Sequence, residues 1–299
     1  MIIAITGASG FLGINLVEEL LKKDTNFIMA FTSQKKPLEN KFKNRHVNVF
    51  EREAFFKVQL KDVDVLINCA FPRNNDNRQM AVGLKYVNDV LNHAVHCGVK
   101  TVINISSQSV YSQQKEHAAD EYTELCLDSI YAVGKFASEL LTNTICKNIR
   151  HTNIRLASLI GPDFDQRLVN KMIDNALARH KIKILSGSQS FGFMDVEDAV
   201  LAIISVVNDK EKHWNEVYNL GIKGGYSLYD ISSCIKDNLI KFGVDVFIEQ
   251  SEEIYLINSA LSCDSFYNQF KFKPVNTLND TVKKIIIAKL KNKEDSSIC

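Results

Sequence analysis

The 299-residue chain lacks a surplus of either charge: 36 basic side chains stand against 35 acidic ones, for a formal net charge of +1. No global field therefore draws it to nucleic acid or to an anionic membrane. It has no continuous apolar stretch of the ~20 residues that a membrane helix needs. Its opening Met1-Ile2-Ile3-Ala4-Ile5 has neither the basic region nor the cleavage site of a secretory leader. The cysteines, at 69, 97, 126, 146, 234, 263 and 299, are odd in number and without framework spacing. They suit reduced thiols of a cytoplasmic protein. A Gly-x-Ser-x-Gly elbow, a Walker lysine and a His-Glu-x-x-His pair are all missing, which excludes the chemistries built on them. His93, His96 and Cys97 share one helical stretch, but no matching ligands occur elsewhere, so no metal site is expected.

What is present is an ordinary globular composition, 45% hydrophobic and 24% charged, long enough for a large core with a smaller lobe. Apolar runs at Ile2–Thr6, Phe27–Thr32, Val47–Phe50, Val63–Ala70, Lys100–Ser106 and Arg150–Leu156 predict strands. Between them, Phe11–Lys23, Met80–His96 and Tyr131–Cys146 carry helical periodicity. The first helix turns Leu12, Leu16 and Leu20 to one face, and the third is expected to turn Phe136, Leu140 and Leu141 inward. Strand and helix in alternation imply parallel pairing through right-handed crossovers, hence an α/β doubly wound (Rossmann) sheet. After Gly161-Pro162 the rhythm changes, and a smaller C-terminal α/β lobe is expected, with a late strand at Val244–Ile248. The division predicted is 1–162 for the dinucleotide-binding domain, with 193–223 returning to it, and 163–192 plus 224–299 for a substrate-binding lobe. The stripe Val282, Ile285, Ile286 and Leu290 is expected in the core of that lobe.

Thr6-Gly7-Ala8-Ser9-Gly10-Phe11-Leu12-Gly13 lies between the first strand and the first helix. Gly7 permits a tight turn, Gly10 lets a pyrophosphate approach backbone N–H groups, and Gly13 lets the helix pack close to the sheet. The helix N-terminus adds partial positive charge. Strand, turn and amphipathic helix together make this a dinucleotide-binding turn. Its Gly-x-x-Gly-x-x-Gly spacing, preceded by threonine, resembles the extended short-chain dehydrogenase/reductases, the NAD-dependent epimerase/dehydratase family.

That family uses Tyr-x-x-x-Lys, with both side chains on one helical face, and the pattern occurs three times: Tyr111/Lys115, Tyr131/Lys135 and Tyr267/Lys271. Tyr111 falls in a polar loop and Tyr267 in the C-terminal lobe. Tyr131 opens an amphipathic helix in the next crossover, where its hydroxyl can reach the sheet edge. Ile105-Ser106-Ser107-Gln108-Ser109-Val110-Tyr111 resembles the family's Ser-Ser-x-x-Val-Tyr segment, which makes Ser107 the catalytic hydroxyl and Ser106 a support for the strand end. The resemblance thus implies Ser107, Tyr131 and Lys135 as the catalytic set. For the cofactor it implies Gly7, Ser9, Gly10, Phe11, Leu12, Gly13, Thr32, Ser33, Lys35, Ala70, Tyr131, Lys135 and Ser158.

The similarity continues through Asn68-Cys69-Ala70 on the adenosine side and Arg155–Pro162, which is like Arg-x-x-Asn-x-x-Gly-Pro. Phe193–Ala199 is like Phe-x-x-Val-x-Asp, and Val217–Gly221 with Ser227-Leu228 is like the later Tyr-Asn-x-Gly and Ser-Leu segments. Asp195, Glu197 and Asp198 fit charge compensation at a helix N-terminus better than a metal site. Three departures bear on function. Gln108 and Ser109 stand where family dehydratases place an acidic pair, which disfavours dehydration. Phe191 stands where nucleotide-sugar enzymes commonly carry an arginine, and no arginine follows Arg179. Arg73 and Arg167 are the substitutes expected near the substrate, with Arg78 a further option. The second strand ends Thr32-Ser33-Gln34-Lys35-Lys36 without an acid for a ribose 2′-hydroxyl, which favours NADP(H) over NAD(H).

The resemblance implies an NAD(P)-dependent oxidoreductase, a nucleotide-sugar 4-keto reductase or C4 epimerase. Two rivals stand beside it: reduction of a small non-nucleotide carbonyl compound, and a non-catalytic dinucleotide-sensing regulator. The partner expected is a small-molecule substrate, with nucleic acid and membrane excluded and a homodimer left open.

Overall fold

The computed structural model describes residues 1–43, 45–72, 76–165, 167–186, 189–211 and 213–297. Along the chain, β1 (Ile2–Thr6) leads through α1 (Phe11–Leu20) to β2 (Phe27–Thr32), then through α2 (Lys35–Lys41) to β3 (Val47–Glu51). The next units are β4 (Val65–Asn68), α3 (Asn77–His96), β5 (Thr101–Ser107), α4 (Ile130–Ile145) and β6 (Arg150–Leu156). There follow β7 (Ser158–Ile160), α5 (Leu168–Arg179), β8 (Lys181–Ser186), β9 (Gln189–Ser190), β10 (Phe193–Asp195), α6 (Val196–Asn208) and β11 (Val217–Leu220). The chain ends with α7 (Leu228–Lys241), β12 (Phe247–Ile254), β13 (Ile257–Asn258), α8 (Asp264–Phe270) and α9 (Leu278–Ser297).

Seven parallel strands form the main sheet in the order β11-β6-β5-β4-β1-β2-β3. This is the doubly wound sheet that the alternation predicts, extended by β11 from the returning segment. The order reverses between β1 and β4, so helices leaving those strands diverge and open a crevice at their carboxyl ends. Short pairs β10–β7, β12–β8 and β13–β9 lie outside it.

Four strands are tied together inside the sheet by side chains at one register. Thr6 pairs with Asn68, Asn68 with Asn104 and Asn104 with Asn153. Thr6 Oγ1 donates to Asn68 Oδ1 (2.7 Å), Asn68 Nδ2 to Asn104 Oδ1 (2.9 Å), and Asn104 Nδ2 to Asn153 Oδ1 (2.8 Å). A carboxamide both donates and accepts, so neighbouring strands can pass the bond along and leave few buried polar atoms unmet. Asn68 is therefore spent within the sheet, and only Cys69 and Ala70 of its tripeptide reach the crevice.

A second apolar core gathers Val169, Ile173, Ile182, Phe191, Ile231, Ile235, Val282, Ile285 and Ile286, with Leu290 against it. Leu261, Cys263, Phe266 and Phe270 instead join the core of the main sheet. Two local readings need correction. Leu140 is 51% exposed, because the buried face of α4 carries Lys135, Ser138, Glu139 and Thr142 rather than this leucine. The late strand covers Phe247–Ile254, not Val244–Ile248, because it pairs with β8 from Lys181 onward.

Candidate active site

The crevice between β1 and β4 is walled by the glycine turn. Gly7 has φ +67°, and a Cβ there would stand 2.8 Å from the Ala70 backbone nitrogen. A Cβ on Gly13 would meet the Gly7 carbonyl at 2.3 Å. These contacts draw α1 tightly against the turn. Gly10 is the N-cap of α1 and supplies no side-chain cap, so the first-turn amides keep their outward hydrogen-bonding capacity. A dinucleotide pyrophosphate fits that cradle: the wall is backbone N–H at a helix N-terminus, and no acidic residue falls in the first turn of α1.

Two cavities meet at this turn. The smaller, about 570 Å³, is lined by Gly7, Gly10, Phe11, Leu12 and Gly13, and also by Ser107, Gln108, Tyr131, Lys135, Ser158 and Arg167. The larger, about 1100 Å³, takes in Ser9, Thr32, Ser33 and Ala70. The tertiary structure thus brings every predicted site residue but two to one connected cleft. Arg73 lies outside the described residues. Lys35 lines neither cavity: it sits one turn before Glu39, pairs with it at 3.5 Å, and faces a separate depression beside Phe42. Lys41 and Arg52 line the larger cavity in its place. Arg52 follows the third strand, too far along the chain for a motif around the second strand to include it. Arg78 also lines that cavity, on the side of the turn away from Tyr131.

Ser107 closes β5, and its Oγ accepts from Ser109 N (3.2 Å) and Ser109 Oγ (3.0 Å). Ser106 points the other way and donates to the buried Glu139, as expected of a strand-end support. Ser129 caps α4 by accepting from Ala132 N (3.1 Å), so Tyr131 occupies the first turn, at the mouth of the crevice. Its ring stands edge-on to Phe71, centroids 6.0 Å apart. One turn on, Lys135 is 5% exposed and donates to the Ile105 carbonyl at 2.7 Å. Its Nζ stands 4.1 Å from the Phe71 centroid and 5.9 Å from that of Tyr131. The strand that carries Ser107 therefore also holds the lysine of the helix.

The two other tyrosines of the same spacing are committed elsewhere. The Tyr111 hydroxyl accepts from Arg155 Nη1 (2.7 Å) and donates to Asn219 Oδ1 (2.9 Å), with the ring fully buried. The Tyr267 hydroxyl donates to the Gly221 carbonyl, and Lys271 lies beyond its helix in the left-handed region at φ +51°. The acidic trio at α6 is structural. Asp195 caps the helix and takes a hydrogen bond from Thr281, while Asp198 accepts from Val275 N and Asn276 N. Among the described residues no His, Cys, Asp or Glu group is arranged to hold a metal ion, and no helix is long and apolar enough to cross a membrane.

Gln108, which stands where the first of an acidic pair is expected in dehydratases, lines the smaller cavity. Its Nε2 donates to Ser158 Oγ at 3.0 Å, and its buried Oε1 has no hydrogen-bond partner among the described residues. A carboxamide here offers hydrogen bonds but no proton to transfer at neutral pH. Phe191, at the arginine position, stacks on Phe193 with centroids 5.5 Å apart inside the second core.

Sequence comparison matches residues 3–221 to the NAD dependent epimerase/dehydratase family. UDP-glucuronic acid decarboxylase 4 of Arabidopsis thaliana is 21% identical over 257 residues, covering 79% of this chain and 57% of that protein, so the chain spans little more than half of that relative. Protein CapI of Staphylococcus aureus is 23% identical over 339 residues, covering 96% of this chain and 97% of CapI. The crystal structure of UDP-glucuronic acid 4-epimerase from Bacillus cereus, in complex with UDP-glucuronic acid and NAD, superposes with a TM-score of 0.82 at 21% identity, covering 98% of this chain and 100% of that one. That likeness carries the fold.

Proposed function

Since the chain belongs to the NAD dependent epimerase/dehydratase family and is an enzyme of its oxidoreductase type, we propose that it works on a nucleotide sugar, as a 4-keto reductase or a C4 epimerase. What supports this reading above all is that Ser107, Tyr131 and Lys135 line one cavity with the glycine turn. A bound nicotinamide supplies or accepts the hydride. Tyr131 gives a proton to the carbonyl oxygen in reduction and takes it from the alcohol in oxidation. The Ser107 hydroxyl holds that oxygen. The Lys135 ammonium favours the negative charge on Tyr131 while its proton is away. In epimerisation the same groups run both directions in one turnover.

The coenzyme preference proposed is NADP(H). The end of β2 offers hydroxyls, and Arg52 brings positive charge to the same cavity, where Lys41 is paired with Glu18 at 3.2 Å. We take the sheet core, residues 1–162 with 193–223, as the dinucleotide-binding part and the second core as the substrate lobe, with the 261–270 stretch assigned to the sheet. A second reading, reduction of a small non-nucleotide carbonyl, draws on the burial of Phe191 and on Arg167 being the one arginine among the described residues that line the smaller cavity.

The deciding experiment pairs Tyr131→Phe with a nucleotide panel. Turnover should fall by about 10²–10⁴ while NADPH binding persists; undiminished turnover refutes the site. Thermal protection by one of UDP, GDP, CDP or dTDP supports the nucleotide-sugar reading, and protection by none favours the second. Stoichiometric NADPH consumption marks a reductase, and unchanged coenzyme an epimerase.

A further inference from the structure

The two cavities share Gly7, Gly10, Phe11, Cys69, Phe71 and Phe164. These residues form a waist between the adenosine side and the nicotinamide side. At that waist Phe11, the first residue of α1, stacks on Phe164 with ring centroids 4.1 Å apart and planes within 14°. Phe164 comes from the turn after β7, far from the glycine turn in sequence. Its guanidinium neighbour Arg167 covers it at 5.2 Å from the ring centroid. Phe11 and Arg167 thus both contact the Phe164 ring, beside the helix N-terminus suited to a pyrophosphate.

The segment that delivers Phe164 is built for this placement. Gly161 has no side chain because a Cβ there would stand 2.9 Å from Val196 Cγ1 and 3.1 Å from Phe11 Cζ. Pro162 fixes the next φ, and Asp163 adopts φ +61°, a region costly for a residue with a Cβ. The base is pinned by Asn170 Nδ2 donating to the Gly161 carbonyl (3.1 Å). Beyond Phe164, the Lys289 ammonium of α9 lies 2.6 Å from Asp165 and 2.8 Å from Asp174. A strained turn held by ion pairs at a ligand crevice points to a function for what it presents.

We propose that Phe164 is a coenzyme-retention residue: stacked on Phe11, it closes over the middle of a bound dinucleotide and slows its release. The proposal rests on the reading of the cleft as a dinucleotide site. A ligand occupying both cavities has to cross the waist, so Phe164 must leave Phe11 before it departs. A ligand confined to the adenosine cavity does not cross. Slow release costs nothing to an enzyme that oxidises and re-reduces its substrate on one coenzyme, and it limits one that exchanges coenzyme each turnover.

The test is the dissociation rate of NADPH and NADH from the full chain, followed by fluorescence after displacement, alongside the affinity for adenosine 2′,5′-bisphosphate. Losing an aromatic stack and its burial corresponds to roughly tenfold faster release. Phe164→Ala should therefore release the dinucleotide about tenfold faster and weaken adenosine 2′,5′-bisphosphate much less, since Phe164 borders that cavity only at the waist. Lys289→Met, which unmoors the segment without touching the coenzyme, should move the rate the same way by a smaller factor. Phe164→Leu keeps the apolar bulk and decides the matter if the alanine variant does not fold. Unchanged release from folded Phe164→Leu or Phe164→Ala overturns the proposal, as does equal weakening of adenosine 2′,5′-bisphosphate. Failure of the wild-type chain to bind either dinucleotide instead overturns the coenzyme site itself.

Discussion

Arg155 and Glu139 form a bidentate ion pair one turn beyond Lys135, with Nη2 2.8 Å from Oε2 and Nε 3.0 Å from Oε1. Both side chains are almost wholly buried, at 6% and 4% exposure. Burial opposes the Arg155 charge, but the hydrogen bonds and attraction of Glu139 outweigh it and hold the guanidinium above its ordinary range. Glu139 also takes the Ser106 hydroxyl, and Arg155 reaches Tyr111. The pair therefore clamps α4 to β5 and β6, which fixes Tyr131 and Lys135 relative to Ser107. Removing one partner leaves a buried charge unmatched, so Glu139→Ala should lower unfolding free energy in denaturant by about 3–5 kcal/mol. A loss below about 1 kcal/mol would mean that the clamp contributes little.

The proposed NADP(H) preference draws on cations that the motif around β2 does not contain. NADPH should bind more tightly than NADH, and Arg52→Ala should reduce that ratio about tenfold, the size of a lost charge-assisted hydrogen bond. Lys35→Ala should leave the ratio unchanged, since Lys35 faces away from the cavity. Fluorescence titration with both coenzymes checks this, and a wild-type preference for NADH would sink the NADP(H) reading.

Gly13 tests how closely the first helix must approach the turn. A methyl there would stand 2.3 Å from the Gly7 carbonyl oxygen, a backbone atom that cannot swing aside. Gly13→Ala should cost about 1–3 kcal/mol of stability, the usual penalty of overpacking, and should weaken dinucleotide binding as α1 shifts. Wild-type binding in a fully stable variant would contradict the close packing.

Lys115 should leave a pH signature. Its ammonium is half-buried against the Ser112 and Asn258 carbonyls, and burial lowers its pKa from 10.5 to about 8. Between those values the unfolded chain binds the extra proton, so this group makes stability rise with pH there. Below about 8 both states are charged and the burial penalty is felt in full. The stability of the wild type relative to Lys115→Met should therefore increase from pH 8 to pH 10 in denaturant melts. A flat or falling difference would show that the ammonium is not penalised by its surroundings.

The Tyr-x-x-x-Lys motif shows how far local pattern carries. Three copies are equal as text, and helix context alone singled out Tyr131, because only there does an amphipathic run begin at the tyrosine. The structure supplies the reasons the others are occupied: Tyr111 is bonded to Arg155 and Asn219, and Tyr267 to the Gly221 carbonyl. Leu140 went the other way. Apolar periodicity pointed it inward, but the buried ion pair and Lys135 claimed the inner face of α4.

The sequence by itself determined the alternation of strands and helices, the glycine turn between Thr6 and Gly13, and the serine cluster at the end of the fifth strand. All of these rest on neighbours a few residues apart, where backbone sterics and 3.6- or 2-residue periodicity act locally. Only the tertiary structure decided that Lys41 and Arg52 replace Lys35 at the cavity, that Phe191 is buried in the second core, and that Phe164 lies on Phe11. Those relationships join residues separated by other strands and helices. They are settled by which faces the folded sheet brings together, and short-range pattern carries no record of that.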